Sequence, residues 1–264
     1  MTSEDRPQDS GDSPQSGADR AQNIYDDPQF FAGYSGLERF GPGWERAVER
    51  SDFLRLLPDV AGRRVLDLGC GTGQLAFHLA EAGAAEVVAL DVSERMLSLA
   101  QAERAHPRVT YRLESMEGAV FPAERFELVV SSLAFHYVHD YHELVGRIAR
   151  WLVPGGVLVF STEHPIFTAR ALTDGWVVDE SGARLAWALD RYAEEGPRLR
   201  QWFVPGVVRY HRTVATLLNG LLDAGLALER VVEPVPGEAW LRDRPQDVDE
   251  RRRPIFILFR ARKP

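Results

Sequence analysis

Short apolar runs alternate with amphipathic stretches along most of the chain from residue 59 onward. Seven of the runs have the length and the closing turn residues of buried strands. They cover Arg64–Leu68, Glu86–Leu90, Val109–Leu113, Phe126–Ser132, Val157–Ser161, Leu226–Val232 and Ile255–Arg260. Helical spacing of apolar residues follows over Gln74–Ala82, Ser93–Arg104, Asp140–Leu152 and Val214–Ala224. Strands that alternate with helices form parallel crossover units, so the pattern predicts an α/β fold with a doubly wound, mostly parallel, seven-stranded sheet.

Two regions depart from this pattern. Between His164 and Arg212, tryptophan and tyrosine occur among glycine and proline without a clear period. The stretch is too long for a plain loop, so we predict a cap insertion over about residues 164–212, after the fifth strand. Residues 1–22 are almost all polar, glycine or proline. They cannot bury enough apolar surface to fold, which predicts a disordered tail at 1–22 and one domain over 23–264.

Charge and composition exclude several classes of function. The net charge is -8, with 31 basic and 39 acidic side chains, which argues against a nucleic-acid partner because such partners require neutralised phosphates. The chain has no apolar run of the roughly 18 residues that a membrane helix needs, and residues 1–22 have no signal-peptide pattern. We therefore expect a cytoplasmic protein without a membrane partner. The single cysteine, Cys70, excludes an internal disulfide, a multi-cysteine zinc site and a cysteine-held iron–sulfur cluster.

The clearest motif is Val65–Gly73, which reads VLDLGCGTG between a predicted strand and a predicted helix. Glycines at alternate positions allow a tight turn and let a ligand approach the backbone closely. A phosphate-binding P-loop needs a lysine, and Lys263 is the only lysine of the chain. A dinucleotide fingerprint needs a third glycine where Gln74 stands. Asp67 precedes the glycines, and a carboxylate beneath such a loop suits a cationic ligand better than a phosphate.

This motif, together with Asp91 at the end of the next strand, resembles the first motif of class I S-adenosylmethionine-dependent methyltransferases. The resemblance extends over roughly residues 23–260 and implies a Rossmann-like fold with S-adenosyl-L-methionine as the cofactor. Two further segments, NIYDDP at 23–28 and EHPIF at 163–167, resemble a bacterial subgroup of small-molecule methyltransferases. The resemblance thus implies O- or N-methylation of a natural product or metabolite by in-line displacement.

The resemblance also implies a set of cofactor contacts. Asp91 accepts hydrogen bonds from the ribose hydroxyls, Met96 packs on the adenine, and the backbone of Met116 contacts the ring edge. Many relatives have an aspartate at the position of Ser115, so this chain departs from the family there. The predicted cofactor residues are Tyr34, Asp67, Gly69, Cys70, Gly71, Asp91, Val92, Met96, Ser115, Met116, Glu117 and Ser132.

Histidines that follow two strands are the candidate catalytic residues. His136 comes just after the fourth strand and His164 just after the fifth, and ligands of such sheets bind at the carboxyl ends of the strands. A neutral imidazole can take a proton from a hydroxyl acceptor. If the acceptor is a neutral amine, His136 would only orient it. The predicted acceptor-binding residues are Tyr25, Phe30, Tyr137, Glu163, Trp202 and His211.

Other chemistries have weaker support. His136, His139 and His142 are spaced by threes, but the acids near them do not fit a known ligand spacing, and we predict no metal site. Enzymes that methylate nucleic-acid bases usually carry Asn/Asp-Pro-Pro-Tyr/Phe after the fourth strand, where this chain has SSLA at 131–134. Two other functions stay open at this point. They are an NAD-type oxidoreductase that uses the same crevice and a non-catalytic cofactor-binding module.

Overall fold

The computed structural model describes residues 21–37, 40, 47–169 and 175–264. Residues 1–20 of the predicted disordered tail lie outside this part, as do residues 170–174 of the predicted cap. Gln22 is described, and its side-chain amide exchanges hydrogen bonds with the backbone of Val208 at 2.7 and 3.3 Å. Gln22 therefore packs with the folded domain rather than with the tail.

The described helices and strands follow one another as α/β units with an insertion. The helices are α1 (Pro28–Ser35), α2 (Arg50–Leu56), α3 (Gln74–Glu81), α4 (Glu94–Glu103), α5 (Tyr141–Trp151), α6 (Pro165–Thr168), α7 (Val214–Asp223) and α8 (Glu238–Asp243). The strands are β1 (Arg64–Leu68), β2 (Glu86–Asp91), β3 (Val109–Leu113), β4 (Phe126–Ser132), β5 (Leu152–Glu163), β6 (Trp176–Val178), β7 (Arg184–Trp187), β8 (Gly196–Trp202), β9 (Val204–His211), β10 (Ala227–Val232) and β11 (Phe256–Arg262). Short 3₁₀ helices cover Ile24–Asp26, Phe135–Tyr137 and Pro245–Arg251.

Seven strands form the central sheet in the order β10-β11-β5-β4-β1-β2-β3. The pairs from β3 to β5 are parallel, while β11 runs antiparallel to both β5 and β10. The predicted mostly parallel, seven-stranded α/β sheet is confirmed. The direction of winding reverses between β1 and β4, which opens a crevice at the carboxyl ends of these strands.

The strands are buried on both faces because helices cover both sides of the sheet. Leu66 and Leu68 of β1 belong to one apolar cluster, with α5 and α7, whereas Val65 belongs to the opposite cluster, with α3. Phe160 of β5 stacks on Phe135 with ring centres 4.5 Å apart. This contact anchors the 3₁₀ helix that follows β4 at the carboxyl end of the sheet.

Local details differ from the predicted pattern. Strand β5 is longer than predicted at both ends. Its antiparallel partner β11 continues the pairing as far as Glu163, and Leu152 at its start pairs with Phe126 of β4. Residues 234–254 contain α8 and the 3₁₀ helix Pro245–Arg251.

Between β5 and α7 the chain forms α6 and two hairpins, β6–β7 and β8–β9, which do not pair with the central sheet. Helix α1 packs on the turn of the second hairpin, where a Cβ on Gly33 would lie 2.3 Å from the ring of Phe203. Apolar and aromatic side chains join these parts; this aromatic cluster comprises Ile24, Tyr25, Phe30, Tyr34, Tyr137, Trp202, Phe203, Val204 and Val207. The exact limits of the cap, 164–212, stay a prediction.

Within the described residues, none of the helices combines the length and the apolar character that crossing a bilayer requires.

Candidate active site

A cavity of about 420 Å³ lies at the carboxyl end of the sheet. Its walls come from the glycine loop, the ends of β2 to β5, the segment before α1, and the β8–β9 hairpin. All predicted cofactor residues line it: Tyr34, Asp67, Gly69, Cys70, Gly71, Asp91, Val92, Met96, Ser115, Met116, Glu117 and Ser132. Of the residues predicted for catalysis and for the acceptor, it is lined by His136, Tyr25, Tyr137, Glu163 and Trp202.

The three glycines of the loop are required for different reasons. All have positive φ angles, of 75° at Gly69, 54° at Gly71 and 77° at Gly73. A Cβ on Gly69 would lie 2.5 Å from that of Ala134, and one on Gly73 would lie 2.4 Å from the hydroxyl of Tyr111. A Cβ on Gly71 would meet no atom of the described residues within 4 Å. Gly71 therefore leaves open the space that a ligand needs beside the backbone.

The carboxylate of Asp91, at the end of β2, is hydrogen-bonded to the glycine loop. Its Oδ2 accepts a hydrogen bond from the amide of Gly71 at 2.8 Å, and its Oδ1 accepts one from the amide of Ser93 at 2.9 Å. Burial raises the pKa of this carboxyl, while the backbone hydrogen bonds oppose the rise. Each carboxylate oxygen can accept a further hydrogen bond, which suits the two hydroxyls of a ribose.

Asp67 lies beneath the loop and is 1% exposed. Burial, together with the negative charge of Asp91, raises the pKa of its carboxyl to about 8, although a hydrogen bond from the backbone of Ala76 lowers it. Its Oδ2 has no hydrogen-bond partner among the described residues. A buried carboxyl with an unused oxygen fits a cationic ligand group, which would stabilise its ionised form.

Hydrogen bonds from helix α5 hold the loop after β3 in place. Arg147 of α5 donates hydrogen bonds to the carbonyls of Met116 and Ala119 at 3.2 and 3.3 Å. Ser115 accepts a hydrogen bond from the amide of Glu117 at 3.1 Å, so its hydroxyl shapes the loop. Because the Ser115 hydroxyl also lines the cavity, the loop can present both side-chain and backbone groups to a ring edge.

The segment before α1 is held against α4. Asp26 accepts hydrogen bonds from the hydroxyl of Ser93 at 2.5 Å and from the amides of Glu94 and Arg95 at 3.2 and 3.1 Å. Next to it, the hydroxyl of Tyr25 lies 3.2 Å from that of Tyr137, beyond β4. The segment thus bridges the cavity from the end of β2 to the end of β4.

His136 belongs to the 3₁₀ helix after β4 and is 5% exposed. Its Nδ1 accepts a hydrogen bond from the amide of Glu163 at 3.5 Å. A nitrogen that accepts carries no proton, so this contact favours the neutral ring with its proton on Nε2. In this tautomer Nε2 is a hydrogen-bond donor.

Glu163 and Arg209 form a buried ion pair at the cavity wall, with 8% and 7% of their side chains exposed. The guanidinium of Arg209 also lies 4.6 Å from the ring centre of Trp202. Tyr25 and Tyr137 are close by, and burial raises the pKa of both, that of Tyr137 to about 12. Both tyrosines are therefore neutral hydroxyls near pH 7.

Three predicted site residues do not line the cavity. His164 is the N-cap of α6, where its Nδ1 accepts from the amide of Ile166 and its Nε2 lies 2.8 Å from Glu233. His211 is bonded within the cap, to the hydroxyl of Thr168 at 2.7 Å and to a carbonyl at 2.9 Å. Phe30 is fully buried in the aromatic cluster. His164 thus contacts the segment after β10, His211 contacts other parts of the cap, and Phe30 packs within the aromatic cluster.

Two residues that were not predicted for the site, Arg200 and Arg209, line the cavity from the β8–β9 hairpin. A signal was present, because polar residues alternate in both strands at Arg198 and Arg200 and at Arg209 and His211. Period-two spacing places such residues on one face of a hairpin. All four are buried, which makes this a polar face turned inward.

Comparisons with known proteins agree with this geometry. Residues 65–156 match the family model described as "Methyltransferase domain". An uncharacterised protein of Haemophilus influenzae is 36% identical over 254 residues, which are 91% of this chain and 97% of that protein. A ubiquinone biosynthesis O-methyltransferase of Bradyrhizobium is 37% identical over 105 residues, covering 39% of this chain and 41% of the relative.

Among solved structures, an S-adenosylmethionine-dependent methyltransferase from Mesorhizobium loti is 43% identical to this chain. The match covers 83% of this chain and 99% of the Mesorhizobium chain, with a TM-score of 0.78. The glycine loop, Asp67 and Asp91 form a site that suits the cofactor of these enzymes. The chain therefore belongs to the class I S-adenosylmethionine-dependent methyltransferases, and S-adenosyl-L-methionine is its cofactor.

Proposed function

We propose that the protein methylates a small-molecule acceptor, a metabolite or natural product, bound beneath the cap. The observation that supports this most is one cavity that joins the glycine loop to the aromatic cluster. Its volume of about 420 Å³ is in the range of small-molecule sites. The segment before α1 and the β8–β9 hairpin line the cavity opposite the sheet, which suits a small acceptor better than a macromolecule.

The cofactor half of the cavity would bind and orient S-adenosyl-L-methionine. The backbone of Gly71 and the carboxylates of Asp67 and Asp91 would hold the cofactor at the ends of β1 and β2. When bound, S-adenosyl-L-methionine supplies a methyl group, whose carbon forms a bond to the acceptor as the carbon–sulfur bond breaks and its electron pair stays on sulfur. The remaining task of the protein is to hold the acceptor in line and to exclude water, which can supply most of the rate.

His136 is the proposed polar contact to the acceptor. It lies between the cofactor residues on β1 and β2 and the cap, at the end of β4. Since its Nδ1 accepts from the Glu163 amide, we assign it an orienting role through Nε2–H rather than the role of a base. The acceptor atom would then carry no proton that has to be removed during methyl transfer.

A pair of variants separates these two roles of His136. We expect His136→Ala to lower kcat/KM by at least about tenfold, since a hydrogen bond to the acceptor is lost. His136→Gln keeps a side-chain N–H and should recover most of this loss. A glutamine variant as slow as the alanine variant would instead indicate a base. His139→Ala is the control, because His139 does not line the cavity.

The raised pKa of Asp67 predicts a pH-dependent affinity for the cofactor. Below about pH 8 the free protein holds a proton on this carboxyl, and a cationic ligand must displace it. Affinity for S-adenosylhomocysteine, measured by calorimetry, should rise from pH 6 to pH 8, by at most about tenfold per unit, and then level off. Asp67→Asn should flatten this part of the profile. An equally steep profile in the variant would assign the titration to another group.

The raised pKa of Asp67 also affects the free energy of unfolding. Because the pKa is raised in the folded state, the folded protein holds this proton more tightly than the unfolded chain does. The contribution of Asp67 to the free energy of unfolding therefore falls as the pH rises from about 4 to about 8. Cofactor binding should offset this loss, because the bound cation favours the ionised carboxyl.

The proposed function is tested by transfer of label. Purified protein is incubated with methyl-tritiated S-adenosyl-L-methionine and a bacterial extract separated into small molecules, RNA and protein. Label should enter the small-molecule fraction and depend on active protein, with the Gly71→Val variant as the control. Label confined to RNA or protein, or no transfer into any fraction, would contradict the proposal.

A further inference from the structure

Charged side chains divide the cavity into two ends. Three acids line one end, from β1 and from the ends of β2 and β3: Asp67, Asp91 and Glu114. The other end, at β5 and the cap, is lined by Arg200, Arg209 and Glu163. Neighbouring strands lie about 4.8 Å apart, so the end of β5 is about 14 Å from that of β2 in the order β2-β1-β4-β5. The acids thus face the cationic cofactor, and the guanidinium groups lie where the acceptor must bind.

Two contacts hold Arg209 in place, but one of its donors has no partner among the described residues. Its Nη1 donates to Glu163, and its guanidinium stacks on the ring of Trp202. Although the side chain is only 7% exposed, its Nε has no hydrogen-bond partner in the described part of the chain. Buried donors without partners are costly, and guanidinium groups fit the planar oxygens of carboxylates. An anion bound beside Arg209 would supply the missing acceptor.

The neighbouring polar groups are donors as well. His136 carries its proton on Nε2 when Nδ1 accepts from the Glu163 amide. The hydroxyls of Tyr25 and Tyr137 share one hydrogen bond, which leaves one of their two protons available. Among the described residues, the buried Oε2 of Glu163 is an acceptor without a hydrogen-bond partner. A cationic methyl acceptor would have to share this carboxylate with a guanidinium already in contact with it, whereas an anion would meet the unpartnered Nε of Arg209 and a tyrosine hydroxyl.

We infer that the methyl acceptor is an organic anion, a small carboxylic acid, whose charged oxygens are bound at the cap end of the cavity by Arg209 and His136. This inference rests on the proposed function and adds the chemical class of the acceptor. The aromatic cluster beside Arg209 indicates that the acid carries an apolar or flat body. Arg209 is then a specificity-determining residue for the reaction.

Ion exchange tests the class of the acceptor directly. The small-molecule fraction of a bacterial extract is divided at pH 7 into anions, cations and neutral compounds, and each part is assayed for label transfer. Acceptor activity should be retained by the anion exchanger and should resist phosphatase treatment. Activity among the cations or neutral compounds would overturn the inference, and loss after phosphatase would assign the site to a phosphate instead. Absence of transfer from all parts would contradict the proposed function itself.

A charge-neutral double variant tests the role of Arg209. Removing one partner of a buried ion pair leaves an uncompensated charge, so Arg209→Gln is combined with Glu163→Gln. We expect KM for the acidic acceptor to rise at least about tenfold while affinity for S-adenosylhomocysteine stays within about twofold. An unchanged KM would show that the Arg209–Glu163 ion pair has only a structural role, which would overturn the inference. Arg198→Gln is the matched control, since Arg198 is the cross-strand partner of Arg209 and is equally buried but does not line the cavity.

If the double variant fails to fold, Arg209→Lys provides the same test. Lysine keeps the positive charge beside Glu163 but loses the planar fork and the stacking on Trp202. KM for the acid should rise while the thermal midpoint changes little. An Arg209→Lys enzyme with the KM of the parent would overturn the assignment.

Discussion

A Gly71→Val protein is expected to lose measurable binding of S-adenosyl-L-methionine while it keeps its fold. In the part of the chain that the structure describes, no atom lies within 4 Å of a Cβ at this position, so the added side chain would project into the cavity rather than into the core. There it would occupy the space beside the backbone that the cofactor needs. Calorimetric titration with S-adenosylhomocysteine should show no heat of binding, whereas the circular dichroism spectrum should match that of the parent.

Valine also introduces backbone strain, because φ at Gly71 is 54°. Gly62→Val separates this strain from the blocked site. Gly62 has a φ of 72°, has open space around its Cβ position, and lies before β1, away from the cavity. Both variants should lose comparable thermal stability, but Gly62→Val should bind the cofactor normally. Normal binding by Gly71→Val would show that the cofactor does not approach this part of the loop.

Asp91→Ala is expected to weaken cofactor binding by roughly 10- to 150-fold. The carboxylate would accept hydrogen bonds from the ribose hydroxyls, and loss of a charged hydrogen-bond partner costs about 1.5–3 kcal/mol. Two backbone amides, of Gly71 and Ser93, also lose their acceptor, which loosens the loop. Calorimetry with S-adenosylhomocysteine measures the affinity directly.

Asp179→Ala is the matched control for this effect. The Asp179 carboxylate likewise accepts from two backbone amides, those of Ser181 and Ala183, but in an exposed hairpin turn. The control should lose some stability and no cofactor affinity. If Asp91→Ala bound as tightly as the parent, the ribose would have to be assigned to another residue.

The sequence was most informative where function depends on local backbone geometry. A strand, an alternating glycine loop and a carboxylate at the end of the next strand define the cofactor half almost completely, because these contacts are made by neighbours in the chain. The strands themselves were predictable because they are buried on both faces and therefore apolar. The extension of β5 at its carboxyl end was not, since it depends on pairing with β11, which lies roughly 100 residues later in the chain.

The acceptor half was harder to predict because it is assembled from distant segments. His164 and His136 both follow a strand, yet His164 caps a helix whereas His136 lines the cavity. That difference depends on the next few backbone dihedral angles, which residue type alone does not determine. The role of Arg209 was not predicted because it depends on contacts with Glu163 and Trp202, which become neighbours of Arg209 only in the folded protein.

The position of β11 has a consequence for biosynthesis. This strand follows the other six strands of the sheet in the chain, yet it lies inside the sheet and pairs with both β5 and β10. Until it emerges, β5 is an edge strand of 12 residues with a largely apolar sequence and unsatisfied backbone groups. A transcript truncated before Phe256 would still encode the glycine loop and every residue of the two ends of the cavity discussed above. Its product would nevertheless present an open strand edge to other nascent chains, and aggregation rather than inactive enzyme is the expected fate.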